Sequence, residues 1–497
     1  MLRKVLFVGT LLFLLLPAGV LAGSFGKGDP PGNPGEWYVG TTPDNLLDGN
    51  HPILFVHGLN SSSHTWWENN DMYDTAFENG FETAFIDLYP TRNMWDNGAL
   101  LAEKLQEMYH FFGEKVVIVA HSKGGIDAQS ALVHYGAAPY VERVITLSAP
   151  HHGSELADLA YSSWAGWLAG ILGNRNDATY SLQTGYMANF RSETDGNPGN
   201  IPFLTFGGTE RGSFGSSLYW GGLYLNRYGP NDGAVTVASS RLPYGEEISI
   251  GAWDHQTIKQ GTSTFDLFSG YLMAGGEGEI QTTGQTFSIF GKDKVAVQDN
   301  NVGYVLRGGQ SDGRQAESFY VEAQAEKVTV DWLSDQKLSQ LTLVGPDQNT
   351  YSDFSVEADT SGYFNGAYHH RITVEKPAAG EWSIRADNNG PHYYFLQAAI
   401  DSPLNEKLKI NSRNGRFHVY RNDQEKRPNV TVKLEKYQGK KHQSQTFHTS
   451  DRDFQLPELG KGVYNLTFDI RGNDRGRKYQ RTVVKSVYVD DNGRRHD

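Results

Sequence analysis

Val116-Val117-Ile118-Val119-Ala120-His121-Ser122-Lys123-Gly124-Gly125 decides the architecture of this chain. Its first five residues are apolar and mostly β-branched, which is the pattern of a short strand buried on both faces of a parallel sheet. From Lys123 the run KGGIDAQSALVHYG reads as a helix. Ser122 stands between the two, with Ala120 and Gly124 two residues away on either side. A serine in that position sits on a sharp, strained strand-to-helix turn that holds its hydroxyl above the sheet edge. Bulk at the two flanking positions would collide with adjacent backbone, and both are small, although Ala120 stands where the usual pattern has glycine. The pattern alone has little force, because Gly309-Gln310-Ser311-Asp312-Gly313 also satisfies G-x-S-x-G. That copy lies in a polar loop of a strand-rich region with no helix after it, so Ser122 is the candidate nucleophile and Ser311 is not.

Working outward, PILFV at 52–56 and FETAFIDLY at 81–89 are two further short apolar runs, and VERVITLSAP at 141–150 and IPFLTF at 201–206 continue the series. Between the second run and Val116, Leu101, Leu105, Met108 and Phe112 recur at spacings of four, three and four, one face of an amphipathic helix. Alternating strands and helices predict an open, mostly parallel, doubly wound α/β sheet covered on both faces. The first strand ends in His57-Gly58-Leu59-Asn60. A glycine there lets the chain turn so that the next N–H can face a developing oxyanion, which makes the Leu59 and Lys123 amides the candidate donors.

A serine hydroxyl needs a histidine to take its proton and a carboxylate to orient that histidine, in the chain order Ser, acid, His for such a sheet. Asp232, in the loop Asn231-Asp232-Gly233-Ala234-Val235, and His255, after the strand EEISIGA, fill those places. Asp254 is too close in sequence to orient its own neighbour. His151 and His152 precede any suitable acid and read as structural or site-wall residues. HGLN, AHSKGG, SAPHHGS, NDGAV and WDH, in that order over residues 50–270, resemble the secreted bacterial lipase and esterase branch of the α/β-hydrolases. The resemblance implies Ser122 as nucleophile, Asp232 and His255 as its partners, Leu59 and Lys123 as oxyanion donors, and hydrolysis of carboxylic esters through an acyl-enzyme. Many such lipases carry an aspartate shortly after the histidine that helps bind calcium; Gln256-Thr257-Ile258 stands here instead, so no calcium of that kind, and no other metal or cofactor, is expected.

Leu156, Leu159, Trp164, Trp167, Leu168 and Ile171 fall on one helical face. They predict a helix over the sheet edge that holds Ser122, either a lid with an acyl pocket in which Trp164 and Trp167 touch substrate, or an ordinary packed cap. The two readings stay open.

The chain of 497 residues is long enough for two to four domains, and with 38% hydrophobic and 20% charged residues it is neither disordered nor fibrous. Residues 1–22 read as a secretory signal peptide, with Arg3 and Lys4 before the apolar run from Val5 to Leu16 and Val20-Leu21-Ala22 at the cleavage site. No later stretch offers a transmembrane span, and Leu456-Pro457-Glu458-Leu459-Gly460 lacks both the threonine and the tail of a wall-sorting signal, so a freely released extracellular protein is expected. The absence of cysteine excludes disulfides and thiolate chemistry. Residues 23–50 read as an extended lead-in without regular structure and 51–272 as the α/β domain. A glycine-rich linker over 274–279 then leads to a β-sandwich module at 280–402 and a second at 403–497. The net charge is −13, yet residues 404–497 hold 21 Lys and Arg against 12 Asp and Glu. That basic segment is a candidate surface for insoluble or anionic material; no nucleic-acid motif accompanies it. A polyester depolymerase and a non-catalytic surface-binding protein on a hydrolase scaffold are the competing functions.

Overall fold

The computed structural model describes residues 32–46, 49–171, 173–213, 216–273, 302–359, 363–388, 390–413, 415–423, 428–438, 441–449 and 453–497. The signal segment 1–22 and the linker 274–279 lie outside the described residues.

The first sheet has seven strands, β1 (Trp37–Val39), β2 (Ile53–Val56), β3 (Thr83–Ile86), β4 (Val116–His121), β5 (Val141–Leu147), β6 (Phe203–Gly208) and β7 (Glu246–Gly251), in the order β1-β3-β2-β4-β5-β6-β7. β2 to β7 run parallel, and β1 joins the edge antiparallel to β3. β1 corrects the expectation that 23–50 lacks regular structure. Trp37, Tyr38 and Val39 are good strand formers, and they cover a sheet edge that would otherwise stay unpaired. The Trp37 ring packs edge-on against Phe111 at 5.5 Å, and its indole N–H donates to Glu107.

The helices are α1 (Met72–Glu78), α2 (Met94–Phe112), α3 (Lys123–His134), α4 (Glu155–Ala160), α5 (Gly166–Ile171), α6 (Asp177–Ser181), α7 (Thr184–Thr194), α8 (Ser217–Leu225), α9 (Val237–Ser240) and α10 (Gly261–Phe268). α2 buries Leu101, Leu105 and Met108. The Asn93 side chain accepts from the Trp95 and Asp96 amides at its start, and Gly113 at φ 75° ends it in the left-handed region, the two signals that fix a helix's length. Neighbouring residues of one strand face opposite ways. Leu54, Val56 and Ile118 pack with Leu101 and Leu105 on one side of the sheet. Ile53, Phe55, Val117 and Val119 pack with Phe265 and Phe268 on the other.

Among the described residues after 301 every strand pairing is antiparallel. A five-stranded sheet ordered 355–358, 368–375, 327–334, 392–401, 302–311 faces a four-stranded one ordered 350–351, 341–344, 380–387, 314–321, and Trp332, Trp382 and Ile384 fill the space between them. Further on, a three-stranded and a five-stranded sheet enclose Phe417, Val432, Phe468 and Val487. The fold is therefore a doubly wound α/β sheet followed by all-antiparallel β sheets. Ser311 closes the strand Val302–Ser311, where its hydroxyl accepts from the Gly313 amide in a hairpin turn.

The β region and the helices α4 to α8 share one core. Leu156, Leu159, Leu168, Phe190 and Trp220 are buried together with Tyr304, Tyr363, Phe364, Phe395 and Val484. Polar ties cross the same seam: Asn465 donates to Gln183 at 2.7 Å, Asn174 to the Asn365 carbonyl at 3.0 Å, and Ser163 to Thr467 at 3.2 Å. Under Trp220, buried His369 bridges Asp331 at 2.6 Å and Asp359 at 3.0 Å. Its ring lies nearly parallel to the indole, and the Arg371 guanidinium stands 4.8 Å from the indole ring.

Burial alone would depress His369, but the two carboxylates outweigh it and raise the imidazole to about 9. A folded-state value above the unfolded one means that the proton stabilises the fold. The contribution is complete below about pH 6.5 and is lost as pH rises through about 9. Chemical denaturation at a series of pH values should show stability falling across that window, and His369→Gln should flatten the fall.

Candidate active site

β2, β4 and β5 end side by side, with Val56 paired to Ala120 and Ala120 paired to Thr146. That register brings the His57-Gly58 turn beside the His121-Ser122 turn at the carboxyl edge of the sheet, where ligands bind in open α/β folds. Ser122 has φ 54° and ψ −132°, strained for a residue with a Cβ, and its amide donates to the Leu147 carbonyl at 3.0 Å. Gly124 and Gly58 are required by proximity. A Cβ on Gly124 would lie 2.5 Å from the His57 carbonyl oxygen, and one on Gly58 would lie 2.7 Å from the Ser122 Cβ.

The structure brings three of the candidates into one relay. Ser122 Oγ donates to His255 Nε2 at 3.1 Å, and His255 Nδ1 donates to Asp232 Oδ2 at 2.6 Å. Asp232 is fully buried, and its other oxygen accepts the Ala234 and Val235 amides at 2.9 and 2.7 Å, so both of its oxygens are occupied. The loop is braced from behind by Asn231, whose side chain donates to the Gly222 and Gly229 carbonyls and accepts the Gly233 amide. The His255 amide donates to the Asp232 carbonyl, which ties the loops after β6 and β7 together. Asp254 takes no part in the relay; its carboxylate accepts the Gln256 and Thr257 amides in a turn of its own.

Two histidines noticed in the sequence only as neighbours prove to hold the turns. His57 Nε2 accepts the Leu88 amide at 3.0 Å, which puts the ring proton on Nδ1, where it donates to the Gly58 carbonyl at 2.9 Å. Burial lowers His57 to about 4, so the ring is neutral near pH 7. With the Gly58 carbonyl held on one side of a trans peptide, the Leu59 N–H projects to the other. His121, also neutral through burial, donates from Nε2 to the His255 carbonyl at 2.8 Å. A His-Gly pair directly after β2 and a His-Ser pair at the end of β4 were the only sequence signals for these roles.

Lys123 opens α3, so its amide is among the first-turn N–H groups that have no helical partner. Its side chain turns inward and is buried against Asp127, at 2.6 and 2.8 Å from the two oxygens, and Asn97 donates to that carboxylate at 2.9 Å. Burial lowers Lys123 and raises Asp127, and their mutual attraction opposes both shifts. His151 is buried beside Thr146, and the His152 amide donates to Ser239, both structural placements.

The predicted helix over 156–171 is broken. α4 ends at Ala160 and α5 begins at Gly166, because Ser162 caps the intervening turn by accepting the Ala165 amide, which splits the apolar face in two. Trp164 sits in that turn. Lys433 Nζ lies 3.6 Å and the Arg307 guanidinium 5.0 Å from its ring, so the structure places it at the seam with the β region. The Trp167 side chain lies outside the described residues. Among the described residues, no group of three or more His, Cys, Asp or Glu side chains converges as metal ligands would.

Residues 90–162 match the family model of a PGAP1-like alpha/beta domain. Triacylglycerol lipase 2 of Saccharomyces cerevisiae is 30% identical over 134 residues, a match spanning 25% of this chain and 40% of that protein's length. The crystal structure of the Bacillus licheniformis lipase BlEst2 in propeptide form is 39% identical, covers 94% of this chain and 100% of its own, and superposes with a TM-score of 0.81. The mature form of the same lipase is 55% identical over 49% of this chain and all of its own, with a TM-score of 0.47. With identity of that order extending over the full length of the propeptide form, the chain belongs to the α/β-hydrolase lipase and esterase family of the Bacillus licheniformis enzyme.

Proposed function

We propose that this chain is a secreted serine hydrolase of carboxylic esters, with Ser122 as nucleophile, His255 as general base and then acid, Asp232 as the orienting carboxylate, and the Leu59 and Lys123 amides as oxyanion donors. The observation that carries the reading is the unbroken relay from Ser122 Oγ through His255 to Asp232, at 3.1 and 2.6 Å, mounted on a strained turn. His255 Nε2 takes the Ser122 proton as Oγ bonds the ester carbonyl carbon. The carbonyl oxygen gains the charge and accepts from the two amides. Collapse of the tetrahedral species breaks the bond to the alcohol oxygen, which leaves with the proton from His255. Water repeats the sequence on the acyl-enzyme and frees the acid. Asp232, already holding two backbone amides, keeps the imidazole in the tautomer that presents Nε2 to serine. The N-terminal signal segment supports export and free release of the chain after residue 22, with the α/β domain at about 51–272 and β modules at 280–402 and 403–497.

The Bacillus licheniformis relative is described in a propeptide form. We extend that reading here: the β region acts as a cover on the cap helices. Tyr363 and Phe364 are buried with Leu156 and Leu159, where an acyl chain would seek apolar surface. Part of the basic surplus serves internal seams, as Arg481 against Glu322, Arg421 against Asp423 and Asp474, and Lys433 over Trp164 show. This favours a cover over an adsorbing surface.

Initial rates on p-nitrophenyl esters from acetate to palmitate should fall by about 10⁴-fold or more in Ser122→Ala; an undiminished rate refutes the assignment. His57→Gln should lower kcat by up to roughly 100-fold to 1000-fold with little change in KM, as expected for a misplaced oxyanion donor. Tyr363→Ala with Phe364→Ala should raise kcat/KM for laurate relative to acetate several-fold, and an equal or lower ratio refutes the cover.

A further inference from the structure

The loop after β7 carries a lysine that the relay does not use. Lys259 is half-buried and lines a polar cavity of about 910 Å³. Glu68, Asn69 and Gln256 on the same wall are exposed, so the cavity is open to solvent on that side and admits small solutes. Among the described residues the Lys259 amine has a single hydrogen-bond partner, the Thr65 hydroxyl, and no carboxylate in ion-pair contact.

That setting favours the neutral amine. An ammonium withdrawn from water keeps its proton when a carboxylate stands beside it, and loses it more readily without one. Burial brings the Lys259 amine down to about 8, with Asp254, acting from a distance, opposing the shift. Near pH 8 about half of the molecules hold a free amine there, against fewer than about one in a hundred for a lysine at the ordinary value near 10.4. A desolvated neutral amine facing an open cavity is a nucleophile for carbonyl carbon.

The wall selects the carbonyl compound. Ser62, Asn69, Gln256 and Gln260 present hydroxyls and carboxamides that both donate and accept, which suits a small molecule bearing hydroxyls. In the reaction Nζ bonds the aldehyde carbon, and the carbonyl oxygen leaves as water with the two amine protons, so that a C=N bond remains. Departure of that oxygen needs a proton donor, and His64 stands on the same wall. The amine is also a structural tie, because its bond to Thr65 joins the loop after β2 to the loop after β7. Asn70 adds a second tie, donating to the Thr65 carbonyl at 2.8 Å and to the Lys259 carbonyl at 3.1 Å. A carbon substituent on Nζ disturbs the first tie and leaves the second, which loosens the two loops without parting them.

We propose that Lys259 is a covalent modification site for small hydroxylated aldehydes, and that its occupancy slows ester hydrolysis by loosening the loops that bear Leu59 and His255. The second half rests on the Ser122 reading; the first half does not.

The test treats the full-length protein with glycolaldehyde or propanal in the presence of cyanoborohydride, which reduces the imine to a stable secondary amine, and maps labelled lysines by peptide mass spectrometry. With glycolaldehyde at pH 8, Lys259 should label at least about tenfold faster than the exposed Lys337 and Lys376, its rate should level off above about pH 8, and its advantage should shrink with propanal. Labelling no faster than at Lys337 and Lys376, or an equal advantage with propanal, overturns the site, and this comparison needs no variant to fold. Fully labelled protein should hydrolyse p-nitrophenyl acetate about threefold or more slowly, while Lys259→Arg taken through the same treatment keeps its own untreated rate. No loss in the labelled protein, or an equal loss in Lys259→Arg, overturns the link to hydrolysis. Ser122→Ala should label at Lys259 as fast as the unaltered chain; p-nitrophenyl acetate hydrolysis persisting in that variant marks failure of the Ser122 reading and leaves the labelling result standing.

Discussion

The site depends on one backbone conformation, the turn at Ser122 with φ 54° and ψ −132°. Such a conformation costs on the order of 1–3 kcal/mol in a residue with a Cβ and persists only where its surroundings leave no alternative. Here the surroundings do so from three directions. Ser122 donates its amide to the end of β5, the glycines at 58 and 124 let the first two parallel turns approach within contact distance, and the buried Lys123–Asp127 pair anchors the first turn of α3. Relaxation of the turn would lower the hydroxyl toward the sheet and away from His255. The strain is therefore the structural condition for the hydrogen bond that could activate the serine.

The sheet was legible because strands buried on both faces must be apolar throughout. Ile53 to Val56 and Val116 to Ala120 are all at 0% exposure, so nothing polar interrupts the pattern. Asp232 and His255 were legible from chain order alone, since the relay in this kind of sheet draws its members from successive strand ends. The features that stayed hidden depend on pairings across long sequence separations. β1 exists because the edge of β3 accepts it, and nothing within 37–39 announces that edge. The break after Ala160 depends on a serine cap inside an unbroken apolar periodicity. His57 acts through Leu88, and His369 through Asp331 and Asp359, partners that no local pattern links.

The apolar surface of the cap helices is not left free. It is already packed against Tyr363, Phe364 and Phe395 of the β region. If the β region is the cover proposed above, an acyl chain and the β region seek the same apolar surface, and their occupancies are linked thermodynamically. A ligand can displace the cover only by as much as its own affinity for the uncovered state exceeds its affinity for the covered one. Long acyl chains bury more surface and gain at about 0.8 kcal/mol per CH₂, so they feel the competition most, while a short chain that needs little of the cap feels it least. On that proposal the apparent preference for chain length is not a property of a fixed pocket. On that reading it reports how firmly the seam is held; beneath the seam, stacked under Trp220, lies the His369 bridge of the β region, whose proton is lost under alkaline conditions.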